Sequence, residues 1–136
     1  HQAFFDEKGR LCQPQPCAKV PSINEAEEEF ADLAIRLFDY CAARNVNLDQ
    51  AYRGAKAIQP PILKGNHALA ISDLHLAVSE VLEALRRRED TDIKLGLLLF
   101  KLWGYCALFG FDFRRAIDAK MAFNRTRSHK HGGKLF

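Results

Sequence analysis

Displaced by 65 residues, the chain lies over itself. The run from Glu29, EFADLAIRLFDYCAARNVNLDQAY, falls on the run from Lys94, KLGLLLFKLWGYCALFGFDFRRAI. Leu37 meets Leu102, Tyr40-Cys41-Ala42 meets Tyr105-Cys106-Ala107, and Ala51 and Ala57 meet Ala116 and Ala122. Self-similarity at a fixed period restricts a chain to copies of one supersecondary unit. Apolar residues spaced three and four apart make each copy a long helix, a tight turn and a short helix. Two such hairpins are expected to pack around a pseudo-twofold axis, with one more helix closing the bundle.

Local signals set the expected boundaries. Residues 1–23 carry Pro14, Pro16 and Pro21 without a sustained period and read as an arm or loop. Ser22 and Asn24 are both candidate N-caps, followed by Glu25, Glu27, Glu28 and Glu29, so a helix is expected from about Asn24 to Arg44. Asn47 or Asp49 starts a short helix to about Ile58, which Pro60-Pro61 terminates. Further helices are expected at about Asn66–Arg88, Thr91–Phe109 and Asp112–Asn124, ahead of a basic tail. No stretch alternates as a half-buried strand would. The expected fold is all-α: an arm (1–23) and one helical domain (24–136), with repeat units at about 24–59 and 66–124 and a tail at 125–136.

Composition narrows the class. With 48% hydrophobic and 27% charged residues the chain can bury a core, so it is not of the disordered kind. The longest apolar run, Leu95 to Phe100, stops at Lys101, far short of a bilayer span, and the N-terminal residues lack the layout of a secretory signal. No membrane association and a cytoplasmic location are expected. Cys41 and Cys106 lie in apolar helical runs and read as small hydrophobes, while Cys12 and Cys17 have no second pair at zinc-like spacing. All four read as thiols, a Cys12–Cys17 bridge or metal site being the minor alternative. The stretch from Lys120 to Lys134 holds five Lys or Arg, His129 and His131, and no acid. A solvated tail is its default reading, and two phenylalanines make no stacking platform, so a nucleic-acid role is not expected.

Two carboxylates carry the first chemical signal. Glu29 and Asp32 are three residues apart and so share a helix face. An acidic first turn suits the helix dipole and needs no further role. The alternative is half of a divalent-cation site. Glu80 and Glu83 have the same spacing on the next long helix, where Arg86 and Arg87 could equally neutralise them.

Three stretches together resemble the MazG-like all-α nucleoside triphosphate pyrophosphohydrolases. EEEFADLAIRLFDYCAARNVNLDQAYRGAKA is similar to that family's ExxD helix and following short helix. ISDLHLAVSEVLEALRRRED resembles its ExxE helix, and FGFDFRRAIDAKMAFNRTRSHKHGGKLF resembles the ending of many members, with Lys120, Asn124, Arg127 and His131 in register. The resemblance implies Mg²⁺-dependent (or Mn²⁺-dependent) cleavage of a (d)NTP between its α- and β-phosphates, giving the monophosphate and pyrophosphate. It implies carboxylates that hold the metal, which shields the triphosphate and activates water. It further implies phosphate or base contacts from Lys120, Asn124 and Arg127. Separately, exposed apolar faces on helix bundles of this size commonly pair, so a homo-oligomer, such as a dimer, is expected.

The chain departs from the pattern at several ligand positions. In the register set by His75, Ala77 stands where the first Glu of ExxE belongs, and Lys94 and Leu97 replace the second ExxD. Only Glu80 is kept there, with Glu83 as a further acid; the first unit keeps Glu29 and Asp32 but has no ExxE helix in residues 1–23. The expected site is therefore Glu29, Asp32, Glu80 and Glu83 around Mg²⁺, with Glu29, Asp32 and Glu80 central to catalysis. Two other outcomes stay open: completion of the first-unit site by a helix outside this sequence, or a degenerate nucleotide-binding or assembly module without turnover.

Overall fold

The computed structural model describes residues 4–5, 11–12 and 23–127; the basic tail beyond residue 127 and most of the arm lie outside them. Within those limits the molecule is a bundle of five helices: α1 (Glu25–Ala43), α2 (Leu48–Ile58), α3 (His67–Arg86), α4 (Asp92–Phe109) and α5 (Phe113–Arg127). The expected all-α class is found. A two-residue antiparallel ladder in the arm, β1 (Phe4–Phe5) with β2 (Leu11–Cys12), is the exception, and it is too short for a period-two pattern to register.

Asparagine starts three of the helices. The Glu27 amide donates to Asn24 Oδ1 (2.7 Å) and the Asn24 amide donates back to Glu27 Oε1 (3.1 Å), a reciprocal capping box. Asn47 accepts from the Gln50 amide (3.1 Å) and Asn66 from the Leu69 amide (2.8 Å). Each cap satisfies an amide that the first turn leaves without an intrahelical acceptor. Helix α5 runs to Arg127, three residues past its expected end at Asn124, because no Gly or Pro interrupts it before Gly132.

The turns after α1 and α4 are built alike. Val46 donates to Cys41 O and Phe111 to Cys106 O, both at 2.8 Å; Asn45 donates to Ala42 O and Gly110 to Ala107 O, both at 3.2 Å. Asn45 (φ 58°) and Gly110 (φ 73°) both adopt the left-handed conformation that ends a helix. In the next turn, the Gln50 and Arg115 amides donate to the side chains of Asn47 and Asp112, each at 3.1 Å. Every pair differs by 65 in residue number.

Packing crosses between the hairpins. Helix α2 lies along α4 and α5 lies along α1, whereas α1 and α2, neighbours in sequence, scarcely touch. Gly96 lets α4 approach α2: a Cβ there would come within 2.2 Å of the Ala51 carbonyl oxygen. Ala31 and Ala116, the residues 65 positions from Gly96 and Ala51, pack together where α5 meets α1. Between these crossings, Phe30, Leu37, Leu74, Leu95, Leu102 and Phe109 are buried in one apolar cluster. Burying a side chain of this size contributes roughly 1.5–3 kcal/mol, so the helices hold together mainly through this seam.

Candidate functional site

Helix α3 packs on α4, and α4 packs on α1, but α1 and α3 stand apart. The cleft between them, of about 470 Å³, is floored by Phe30, Leu33, Ile71, Leu74 and Val78 and rimmed by Glu29, His75 and Ser79. It opens beside the acidic turn of α1, so it is where any chemistry of Glu29 would take place.

The four acids expected to share a cation are held in different ways. Glu29 is exposed at the cleft rim. Asp32, one turn on, is half-buried and accepts an ion pair from Arg36 at 3.2 Å. Glu80 is exposed on α3, with the Lys94 ammonium 3.9 Å away. Glu83 is engaged by Arg86 at 2.5 Å and Arg87 at 2.8 Å, and the Arg86 hydrogen bonds hold its carboxyl below the usual range. Mg²⁺ is bound through carboxylate oxygens that carry no competing cation. Asp32 and Glu83 have arginine partners, and Lys94 already supplies positive charge beside Glu80. Among the described residues, no three His, Cys, Asp or Glu side chains come together as a metal site would require. The composite arrangement expected from the sequence is thus not brought together, and these residues as placed do not fit a divalent cation. With α1 and α3 apart, Asp32 and Glu83 pair with nearby arginines in sequence and Glu80 faces Lys94 of α4, while Glu29 stays at the cleft rim.

The residues expected to contact phosphate also have other surroundings. Lys120 is buried, 4% exposed, and its ammonium donates to Glu28 while lying 5.5 Å from the Phe123 ring centre. It therefore joins α5 to α1 and does not face solvent. Arg127 also lies over the Phe123 ring, its guanidinium 5.2 Å from the centroid, and Asn124 is half-buried on α5. His131 lies outside the described residues.

Two carboxylates outside the expected site have structural roles. Glu27 is buried, closes the Asn24 capping box, and accepts from the Asp112 amide at 3.2 Å, so one side chain joins the starts of α1 and α5. Asp73 on α3 accepts from Lys101 Nζ and from Tyr105 Oη, each at 2.7 Å. Burial works against the Asp73 carboxylate, but the Lys101 and Tyr105 hydrogen bonds outweigh it and hold its pKa below the usual range. Burial first, then the hydrogen bond to Asp73 and its charge, pushes the pKa of the Tyr105 hydroxyl up, so it remains a donor. Glu27 had a visible signal in its N-x-x-E capping spacing; Asp73 had none, because its partners lie on another helix.

No family model, curated protein or solved structure matches the chain. No single described helix is long and apolar enough to cross a membrane; α4 with α5 would reach that length and composition but bends by 110° between them.

Proposed function

We propose that this chain is a helical assembly module made of two copies of one hairpin unit, MazG-like in kind, without pyrophosphohydrolase turnover of its own. The supporting observation is the occupation of the acids: Asp32, Glu80 and Glu83 each face a cation supplied by this chain. Burial of Lys120 against Glu28 weighs the same way, since it takes a phosphate ligand out of play. The module's working surface is then the cleft between α1 and α3. The test is incubation of the chain with a panel of dNTPs and NTPs and Mg²⁺ or Mn²⁺, with pyrophosphate and monophosphate measured. No turnover is expected.

A second reading, the metal-dependent hydrolase, is favoured by one feature. Glu29 opens on the cleft beside His75 and Ser79, with Asp32 one helical turn away. Turnover that disappears in both Glu29→Gln and Asp32→Asn would decide for this reading and against the first.

A further inference from the structure

We propose that the chain pairs with a second copy of itself by exchanging its first hairpin unit, so that residues 23–58 of each copy pack on residues 67–127 of the other. The inference stands on the packing, whichever reading of the cleft holds, and starts from what the first unit lacks alone. Helices α1 and α2 scarcely touch; α2 packs on α4, and α1 packs on α4 and α5. Phe30 lies against Phe109 and Phe111, Ala31 against Ala116, and Tyr52 against Phe100 and Trp103. Each of these covers belongs to residues 67–127. A second copy offers the same surfaces in the same shape, so exchange keeps every contact between the units.

The connection between the units, residues 59–66, decides between one copy and two. Ala51 lies by Gly96 and Gly54 by Ile93, so α2 runs antiparallel to α4. Further on, Ile62 lies by Gly104, and Gly65 by Tyr105 and Leu108, so the connection runs back along α4 in that helix's own direction. The chain therefore reverses between Ile58 and Ile62, where Pro60 and Pro61 stand exposed. Each proline fixes φ at about −65° and favours an extended residue before it, as Gln59 is (φ −105°, ψ 135°). The reversal has no slack. Gly104 lies about 16 Å along α4 from Ile93 at the helical rise, whereas the four peptide steps from Ile58 to Ile62 reach about 14 Å at most. The Ile62 side chain makes up the difference. Opening the bend lets the two prolines run straight and carries residues 23–58 to another copy, and a short, stiff connection favours that outcome.

The ion pair between the units, Glu28 of α1 with Lys120 of α5, supplies the test. Lys120→Glu in one chain and Glu28→Lys in another each set like charges face to face, and each variant is expected to melt below the natural chain. Unfolded and refolded together, the two are expected to form a one-to-one mixed dimer that melts well above either parent, because exchange sets opposite charges at both junctions. Intact monomers paired through their outer faces would keep each clash within its own chain, so dimers without this rescue overturn the inference. Connection length gives a measurement that needs neither variant. Sedimentation of the natural chain from about 1 µM to about 1 mM, the range in which a short connection and a second copy compete, is expected to show dimers. Insertion of four Gly or Ser residues after Gln59 is expected to weaken dimerisation about tenfold or more, and deletion of Pro60 and Pro61 to leave no monomer. A natural chain that stays monomeric throughout, or dimers indifferent to the insertion, overturns the inference. Either result leaves the function proposed above standing, whereas nucleotide turnover by exchanged dimers would overturn that function alone.

Discussion

Asn45 and Gly110 occupy the same left-handed bend at the ends of α1 and α4, with φ of 58° and 73°. Any residue with a Cβ is strained there, and asparagine less than most. Gly110→Ala is expected to cost about 1–2 kcal/mol, whereas Asn45→Gly should be neutral or stabilise by a few tenths, about 0.5 kcal/mol at most. Urea denaturation midpoints of the two variants check this, and equal losses at both sites would contradict it.

Gly96 sits where α4 crosses α2, under the Ala51 carbonyl. An added methyl has to push backbone from backbone, so Gly96→Ala should destabilise by about 2–3 kcal/mol despite the better helix propensity of alanine. At the matching crossing, Ala31→Gly should lose only about 1 kcal/mol. Thermal unfolding of both variants would show whether the two crossings differ in this way.

The buried pair of Lys120 and Glu28 ties α5 to α1. Lys120→Met leaves a carboxylate only 17% exposed without its cation, a loss on the order of 3 kcal/mol, and Glu28→Gln in the same chain should restore much of it. A double-mutant cycle on unfolding free energy measures the coupling. Additive losses would mean that the two residues act independently.

Asp73 links stability to pH. Its carboxyl is held below the usual range in the folded chain by Lys101 and Tyr105 in spite of burial. A depressed folded pKa contributes stability that is present above the unfolded value and is lost as pH falls through the folded one. Melting temperatures followed from neutral to strongly acidic pH should therefore drop more steeply for the natural chain than for Asp73→Asn. The two curves should converge in acid.

Cys41 and Cys106 are both buried, and burial, with Asp92 near the first and Glu27 near the second, pushes their thiols above the ordinary range. Neither should react with a thiol reagent at neutral pH until the bundle opens. Mass-spectrometric mapping of labelled cysteines, with and without denaturant, reads this directly.

The helices were legible because their punctuation is local. Asn24, Asn47 and Asn66 each cap the helix that follows through the amide three residues on, and Pro60-Pro61 follows α2. The structure caps α1 with Asn24 and, over Asp49, caps α2 with Asn47, whose side chains the first-turn amides reach; Ser22 lies outside the described residues. The candidate site was less legible. Spacing on one helix shows that Glu29 and Asp32 share a face, but it does not say how far α1 stands from α3. Nor does it say that Arg36 and Lys94 reach the acids first. Lys120 shows the same limit: its register suggested phosphate, while its burial depends on Glu28, far away in the chain.

The crossed packing of α2 on α4 and α5 on α1 has a consequence for how the molecule can be divided. A cut in the connection between Ile58 and Asn66 would not release two autonomous folding bodies. Each fragment would keep a long helix while its natural cover travelled with the other piece. The short tether there acts as a concentration device, holding at close quarters two partners that would otherwise have to meet by diffusion.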